Sequence, residues 1–240
     1  MNNKLALVLV DGMAAYTEPA LVQLFASVKD GRLLRYPVNA AVPTLSYPNY
    51  ATIISGEDPD LHGLKDNADR RRLKESHVMR GIVQQGGVVG TVAFSWWKDL
   101  VGEVGPGRFY EAEDTPDEWV FQQAEELVVQ HNPDFLLIHP MGVDWAGHCF
   151  GGSSPNYLLA VGAMDALINN FWLWWREHTG GMLMVGADHG MGPGHMHDGN
   201  GPLERQIVYY LDVNGRSAPQ APINQRDIRR VIETLMGLGD

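Results

Sequence analysis

The sequence has little of what several classes of protein require. Its single cysteine, Cys149, excludes an internal disulfide framework and predicts a reducing, cytoplasmic setting. Lysine and arginine together number 18 against 29 aspartates and glutamates, and the formal net charge is −11. This charge argues against duplex nucleic acid as a partner, because such binding neutralises many phosphates with basic side chains. A small anionic substrate stays open if metal ions supply local positive charge.

Long hydrophobic runs are also missing. The run that most resembles the core of a signal peptide, "LALVLV" over Leu5–Val10, is too short for that role and is followed by Asp11. No run approaches the length of a membrane span, so we expect no membrane partner. With 45% hydrophobic and 20% charged residues, the composition is that of a folded globular protein. We find no repeat and no linker, which predicts a single domain over residues 1–240.

What the sequence does contain is an alternation of apolar runs and helical stretches. The runs that predict buried strands are Leu5–Val10, Val88–Ser95, Phe135–His139, Met182–Ala187 and Ile207–Leu211. Strands that alternate with helices predict a mainly parallel sheet covered on both faces. The expected fold class is therefore α/β, with three layers in the order α/β/α.

Three helix starts follow from local patterns. "TPDE" at Thr115–Glu118 has the form of a capping box with proline at the first helical position, and its helix should end near His131. Another helix should begin at Ser154 and end near Gly180, with its apolar residues in one stripe. The basic cluster "DRRRLK" at Asp69–Lys74 is expected to face solvent at the start of a third helix.

Carboxylates and imidazoles follow several of the predicted strands. They are Asp11 after the first strand, Asp144 and His148 after the third, and Asp188, His189, His195 and His197 after the fourth. Ligands gather beyond the carboxyl ends of parallel strands, and core packing gives no reason for such side chains there. Each residue alone is as well explained as a cap or a polar surface group. Together they predict a site for zinc or manganese.

One serine lies in a stiff frame. In "PTLSYPNY", Pro43–Tyr50, Ser46 stands two residues before Pro48. Proline pushes the residue before it out of helical geometry and can itself open a helix, so we expect Ser46 just before a helix N-terminus. That position suits an attacking oxygen, because a helix N-terminus attracts a phosphoryl anion. A plain N-cap serine is the alternative interpretation.

Six segments, spread along most of the chain, together form a further pattern. They are "LVLVDGM", "PTLSYPNYATIISGEDPDLHGLKDN", "FSWW", "VDWAGH", "GADHGMGPGHMHDG" and "RDIRRVIETLMGL". In this order they resemble the alkaline phosphatase superfamily, and within it the type I phosphodiesterase and nucleotide pyrophosphatase family. The resemblance implies an alkaline-phosphatase-like core and an enzyme that cleaves phosphoric esters with two divalent cations, zinc as first choice and manganese as second.

The resemblance also implies a role for each matching residue. Ser46 is the expected nucleophile, and Asn67 matches an amide that donates to a phosphoryl oxygen. The first cation would be held by Asp11, Ser46, Asp188 and His189, and the second by Asp144, His148 and His197. His197 is preferred to His195 because it stands nine residues after Asp188, as the family spacing requires.

The substrate implied by the resemblance is a small phosphate ester. Tyr47 matches an aromatic residue that stacks on a nucleobase, and Trp96 and Trp97 would form the opposite wall. This slot favours a nucleotide-like ester. The alternative is that Tyr47 and Trp97 only pack against the sheet. Compared with family members the chain is short, which implies an open site or one completed by a second copy of the chain, so a homo-oligomer is expected.

The implied reaction begins with attack of Ser46 on phosphorus and ends with hydrolysis of a phosphoseryl intermediate. The family usually has threonine where Ser46 stands, so phosphomonoesterase, phosphonate hydrolase and phosphoryl transfer are kept as alternatives that use the same metal pair. A sulfatase is disfavoured because Tyr50 stands where those enzymes have arginine. A non-catalytic metal-binding module is a last alternative, which the complete set of ligand positions disfavours.

Overall fold

A computed structural model describes residues 3–74 and 76–238 of the chain. The predicted domain boundaries, 1 and 240, therefore lie outside the described residues. Within them a single sheet is formed by the strands β1 (Leu5–Val10), β2 (Leu34–Asn39), β3 (Val89–Phe94), β4 (Gly107–Tyr110), β5 (Phe135–His139), β6 (Met182–Ala187) and β7 (Gln206–Asp212).

The sheet is mainly parallel, as predicted. Its strand order is β2-β7-β6-β1-β5-β3-β4, and β7 runs antiparallel to both of its neighbours while the other pairs are parallel. β1 lies at the centre, with Leu7 beside Leu137 on one side and Met184 on the other. Every residue of β1, β3, β5 and β6 is buried. Such continuous burial is typical of a parallel sheet between two covering layers.

Helices form those two layers. The α-helices are α1 (Val22–Lys29), α2 (Ser46–Ser55), α3 (Pro59–His62), α4 (Val78–Gln84), α5 (Trp96–Val101), α6 (Asp117–His131), α7 (Gly142–Phe150), α8 (Pro155–Thr179), α9 (Pro202–Arg205) and α10 (Asp227–Met236). Helices α1, α6 and α7 pack around α8, whereas α2, α4 and α10 pack on one another and α5 packs on α2. Because the central strands are buried on both faces, the two groups cover opposite faces. The three-layer α/β/α prediction is confirmed.

The long helix α8 follows its prediction closely. It runs from Pro155 to Thr179, and the Ser154 side chain caps it by accepting from the Tyr157 N–H at 3.1 Å. The predicted apolar stripe is buried in full, and it comprises Tyr157, Val161, Met164, Ile168, Phe171 and Trp175. Within the described part of the chain, no helix combines the length and apolar character that crossing a membrane requires.

The start of α6 differs from its prediction. Pro116 is the N-cap and the helix begins at Asp117, so the Thr115 hydroxyl lies outside it and donates to the Ala112 carbonyl at 2.7 Å. The predicted capping box is therefore wrong. The Asp117 carboxylate instead accepts from the Gly142 N–H at 3.2 Å, at the first residue of α7. The predicted end at His131 is confirmed, because Asn132 closes the helix in the left-handed conformation.

The structure also differs from the sequence-based prediction at the two edge strands and in the basic cluster. β2 contains Pro37, which the sheet tolerates at its edge because an edge strand has free N–H positions. β4 is only four residues long and contains no apolar run. No helix begins in the cluster Asp69–Lys74, although its four basic side chains face solvent as predicted. The next helix along the chain, α4, begins at Val78.

Candidate active site

Ser46 is the first residue of α2 and not the residue before it. Leu45 is the N-cap, so both the predicted helix start at Pro48 and the alternative of Ser46 as N-cap are wrong. Pro48 lies within the first turn, where its missing N–H costs nothing, because the first N–H groups of a helix have no partner in the helix. Ser46 is 4% exposed, at the end of the sheet where the parallel strands finish.

The frame around Ser46 is fixed by Asn49. Its Oδ1 accepts from the Ala41 N–H at 3.0 Å, and its Nδ2 donates to the carbonyls of Pro43 at 3.0 Å and Leu45 at 2.8 Å. One fully buried amide thus ties the segment before the serine to the first turn of the helix. The two prolines limit the backbone, and Asn49 supplies the hydrogen bonds that hold it.

The first group of predicted ligands lies at the ends of two strands, next to Ser46. Asp11 follows β1 and Asp188 follows β6, and these strands are neighbours in the sheet. The His189 Nε2 lies 3.3 Å from Asp11 Oδ1, 3.2 Å from Asp188 Oδ2 and 3.1 Å from Ser46 Oγ. We call Asp11, Ser46, Asp188 and His189 the first cluster.

The second group of predicted ligands adjoins the first. Asp144 and His148 lie one turn apart on α7, with His148 Nε2 3.2 Å from Asp144 Oδ2. The His197 Nε2 lies 3.7 Å from Asp144 Oδ1, and the His197 ring stacks on the His189 ring with centroids 3.7 Å apart. We call Asp144, His148 and His197 the second cluster. Gly12 allows the close approach of Asp144, since a Cβ on this glycine would lie 2.6 Å from Asp144 Oδ1.

All three histidines of these clusters are oriented in the same way. The Nδ1 of His148 contacts the His195 carbonyl at 2.6 Å, that of His189 the Gly190 carbonyl at 2.9 Å, and that of His197 the Thr44 carbonyl at 2.7 Å. An imidazole that donates from Nδ1 keeps the lone pair on Nε2, and metal-binding histidines are commonly oriented by such a hydrogen bond. Each Nε2 is directed toward a carboxylate of the clusters.

The carboxylates of the clusters fit a cation as well. Asp11 Oδ1, Asp188 Oδ2 and Asp144 Oδ1 are buried and have no hydrogen-bond partner among the described residues. Buried carboxylate oxygens without a partner are costly unless a cation is bound. Ligand atoms within 4.8 Å of one another form two groups. Asp11, Asp188 and His189 of the first cluster form one, and Asp144, His197 and again His189 form the other, in which His148 is not included. Oxygen and imidazole ligands of this kind suit zinc or manganese.

The buried charges of the first cluster shift one another's pKa values. Burial and the neighbouring Asp11 carboxylate raise the pKa of Asp188 well above its ordinary value. Burial alone would lower the pKa of His189, but the Asp188 and Asp11 carboxylates outweigh it and raise that pKa to about 10. Such a concentration of buried negative charge favours a bound cation, which could activate the serine.

The structure separates the two candidate histidines near Asp188. His197 is buried against Asp144, whereas His195 is exposed and its Nδ1 contacts the His148 carbonyl at 2.7 Å. The backbone of His197 is held by Thr44, whose hydroxyl donates to the His197 carbonyl. The geometry favours His197 as the ligand, and His195 lies at the rim of the site.

Asn67 lies beside Ser46 in a pocket of about 160 Å³. The pocket is lined by Leu45, Ser46, Asn67, Trp96, Glu113, Met141, Asp144, His148, Met196, His197 and Asp198. We call it the serine pocket. The Asn67 Oδ1 accepts from the Tyr47 N–H at 2.9 Å, which leaves the amide N–H groups as donors. The prediction that Asn67 donates to a phosphoryl oxygen is consistent with this position.

The predicted aromatic slot does not form as expected. Tyr47 and Trp97 have no exposed surface: the Tyr47 hydroxyl donates to the Arg71 carbonyl at 3.1 Å, and Trp97 stacks on Tyr50 with centroids 4.7 Å apart. Both side chains therefore pack in the core, which was the alternative interpretation. The neighbouring Trp96 lines the serine pocket in their place.

Sequence reasoning missed three residues next to the clusters. The Tyr50 hydroxyl donates to Asp11 Oδ2, and the fully buried His139 places its Nε2 3.3 Å from the same oxygen. Glu113 lines the serine pocket. His139 ends a predicted strand, and Tyr50 follows Ser46 by one helical turn. Both residues could therefore have been placed near the site from their positions in the sequence. Glu113 lies in an irregular segment, and no sequence pattern places it near the site.

Comparison with known proteins agrees with this geometry. The profile of a family described as type I phosphodiesterase/nucleotide pyrophosphatase matches residues 5–106 and 88–231. The chain belongs to this family. The family inferred from the sequence motifs is thereby confirmed.

Curated relatives of this phosphodiesterase family member are much longer proteins. It is 25% identical over 207 residues to the catalytic subunit of human GPI ethanolamine phosphate transferase 3, an alignment that covers 82% of this chain and 18% of the human protein. It is 24% identical over 191 residues to GPI ethanolamine phosphate transferase 2 of Aspergillus oryzae, covering 72% of this chain and 22% of that protein. The chain thus spans about a fifth of the length of these relatives.

Solved structures share the fold of this family member. Murine ectonucleotide pyrophosphatase/phosphodiesterase 5 in complex with AMP has a TM-score of 0.76 at 12% identity, covering 98% of this chain and 95% of that chain. Phosphonoacetate hydrolase from Sinorhizobium meliloti 1021 in complex with phosphonoformate has a TM-score of 0.61 at 16% identity, covering 79% and 56%. At these identities the likeness establishes the fold. The alkaline-phosphatase-like core expected from the sequence is confirmed.

Proposed function

We propose that the chain cleaves phosphodiesters through a covalent intermediate on Ser46, with the help of two divalent cations. The observation that supports this proposal best is the convergence of Ser46 Oγ, three buried carboxylates and three inward-facing imidazole nitrogens at one end of the sheet. The family membership supports the same class of reaction. Zinc is the cation we expect, with manganese as the alternative.

The cations would be held by the two clusters. Asp11, Ser46, Asp188 and His189 would hold one, and Asp144, His148 and His197 the other. When bound, such cations lower the pKa of a coordinated hydroxyl and offset the charge on the phosphoryl and leaving oxygens. Three aspartates and one deprotonated serine carry four negative charges, which two divalent cations balance.

The residues of the chain then carry out two displacements. Ser46 Oγ forms a bond to phosphorus as the bond to the leaving oxygen breaks, and the serine proton passes to solvent. A water molecule next forms a bond to phosphorus as the bond to Ser46 Oγ breaks, and the serine regains a proton. Asn67 donates to a phosphoryl oxygen in both steps, and Asn49 holds the serine in line.

Transfer to an alcohol is a second candidate function. The curated relatives are named as ethanolamine phosphate transferases, and the first displacement is the same in both cases. The reactions differ in the second step, in which an alcohol oxygen and not water forms the new bond to phosphorus. Addition of an alcohol such as glycerol to the assay would divert product into a new phosphodiester if this chain catalyses transfer.

A comparison of two substrates tests the proposed function. We expect the purified chain, loaded with Zn²⁺ or Mn²⁺, to hydrolyse bis-p-nitrophenyl phosphate with a higher kcat/KM than p-nitrophenyl phosphate. A strong preference for the monoester would favour a phosphomonoesterase. Failure to hydrolyse either substrate with both metals bound would contradict an enzymatic role and favour the metal-binding module.

A further inference from the structure

The sixth segment of the sequence pattern, "RDIRRVIETLMGL", supplies no residue to the clusters, but the residue just before it contacts one of them. This residue is Gln225, which precedes α10 and is only 1% exposed. Its N–H donates to the carbonyl of Asn39, the last residue of β2, at 2.9 Å. The main chain of Gln225 is therefore fixed beside the end of an edge strand.

The side-chain amide of Gln225 joins two parts of the candidate site. Its Nε2 donates to the Asp188 carbonyl, and its Oε1 accepts from the Ala41 N–H at 3.0 Å. Asp188 follows β6, whereas Ala41 lies shortly after β2 on the segment that leads to Ser46. In the sheet, β7 separates β2 from β6. One buried amide therefore links chain segments that lie on either side of β7.

The contact continues from Ala41 to the serine. The Ala41 N–H is shared between the Gln225 amide and Asn49 Oδ1, each at 3.0 Å, and Asn49 Nδ2 donates to the Leu45 carbonyl at 2.8 Å. A chain of hydrogen bonds thus runs from the Asp188 carbonyl to the residue before the nucleophile. A carbonyl only accepts and a main-chain N–H only donates, so the position requires a side chain that does both.

We propose that Gln225 is a positioning residue, which sets the place of Ser46 relative to the first cluster. It acts through the main chain of Asp188 and of Ala41. The inference rests on the proposed function and adds a residue to its machinery. Ser46 Oγ would be both a ligand of the first cation and the nucleophile, so a shift of its segment relative to Asp188 impairs both roles. A misplacement of about 1 Å can reduce a rate by roughly 10²-fold.

Gln225→Met tests the inference, because it keeps a side chain of similar length and removes both hydrogen bonds. We expect the affinity for one of the two Zn²⁺ ions, measured by competition with a chelator, to fall about tenfold or more. At saturating Zn²⁺ the kcat for the diester should fall by about 10- to 100-fold. KM should change by less than about twofold, because Asn67 and the serine pocket are left as they are.

The matched control is Asn224→Leu, also a change from an amide to an apolar side chain of similar size. Asn224 and Gln225 line the same cavity of about 300 Å³. Within residues 3–74 and 76–238, however, the Asn224 side chain forms no hydrogen bond, and only its main-chain N–H donates, to Asp227. Its replacement should therefore leave kcat and the affinity for Zn²⁺ unchanged.

A second variant separates positioning from stability. Gln225→Ala removes the amide next to this cavity, and propionamide has the structure of the missing side chain. We expect propionamide to raise the kcat of this variant several-fold, whereas butan-2-one, which has the same shape without N–H groups, should have no effect. Equal effects of the two additives, or no effect of either, would overturn the inference.

Two results with Gln225→Met would also overturn it. One is a wild-type kcat together with wild-type affinity for Zn²⁺. The other is a lower free energy of unfolding in EDTA with kcat unchanged at saturating Zn²⁺, which would make the role of Gln225 purely structural. If the wild type hydrolyses no diester but Gln225→Met still weakens the binding of Zn²⁺, the hydrolytic function fails while the positioning of the first cluster by Gln225 stands.

Discussion

At the residue scale, the central position is Ser46, whose Oγ lies 3.1 Å from the Nε2 of His189 within the first cluster. Ser46→Ala removes the attacking oxygen and leaves the three aspartates and three histidines in place. We expect turnover of the diester to fall by about 10³-fold or more, as for other nucleophile deletions. Both metals should still bind, which elemental analysis of the dialysed protein measures. Turnover near the wild-type rate would mean that Ser46 is not the nucleophile.

The choice between His197 and His195 is a second prediction at this scale. His197→Ala removes a buried imidazole next to Asp144, whereas His195→Ala removes an exposed one at the rim. We expect the bound metal to fall from two ions to one in the His197 variant and to stay at two in the His195 variant. The same elemental analysis decides. The reverse pattern would assign the second cluster to His195.

The sequence was a good guide to residues at the ends of strands. Asp11 and Asp188 could be placed together because parallel strands end at one edge of a sheet. It was a poor guide to residues that reach the site from elsewhere. The segment holding Glu113 has no periodic pattern, and the orientation of Tyr47 and Trp97 depends on packing between α2 and α5, which local sequence does not encode.

At the element scale, α7 carries Asp144 and His148, and its start is held by a residue of α6. The Asp117 carboxylate accepts from its first N–H, and a Cβ at Gly142 would lie 2.1 Å from the Asp117 Oδ2. The sequence suggested Asp117 only as part of a capping box for its own helix. In the structure it joins the start of α6 to the start of α7, a contact across 25 residues of sequence.

Asp117 also gives a prediction for stability against pH. Burial raises its pKa from 3.8 to about 6, so folding favours its protonated form. Its contribution to stability is complete below pH 4 and is lost as the pH rises through 6. The free energy of unfolding of the wild type, relative to Asp117→Asn, should therefore fall by up to about 3 kcal/mol between pH 4 and 7. Urea denaturation in EDTA measures it, and a constant or rising difference would contradict the prediction.

The edge strands β2 and β4 were not predicted from the sequence, for a physical reason. β2 pairs with the strand β7 on one side, has an isolated bridge from Asn39 to Asn224 as well, and is exposed at alternate positions, so it carries no continuous apolar run. β4 adds four residues to the other edge. The central strands were found because burial on both faces demands apolar residues throughout.

At the scale of the whole molecule, the metal clusters bear on the stability of the fold. They place three buried carboxylates at the end of the central strands, each with one oxygen that accepts no hydrogen bond from the described residues. Ligands that bind only the native state stabilise it, by about 2.7 kcal/mol per site at a concentration of 100 Kd. We expect EDTA to lower the Tm by about 10 °C or more for a chain of this size. His197→Ala protein should show a smaller decrease, and an unchanged wild-type Tm would contradict metal binding by the clusters.

The overall architecture was predictable because each apolar run, helix and strand end pointed to the same fold, which the family profile then matched over most of the chain. A cytoplasmic location and a homo-oligomer stay predictions. Neither follows from the arrangement of the sheet, the helices or the clusters.

The central claim is that a serine and not water attacks the substrate first, and the stereochemical course at phosphorus tests it most directly. Each in-line displacement inverts phosphorus, so two successive displacements retain its configuration. The measurement uses one enantiomer of a phosphorothioate p-nitrophenyl diester, hydrolysed in ¹⁸O-labelled water with both metals bound. The account predicts net retention of configuration. Net inversion would show a single attack by water and would contradict the covalent intermediate on Ser46.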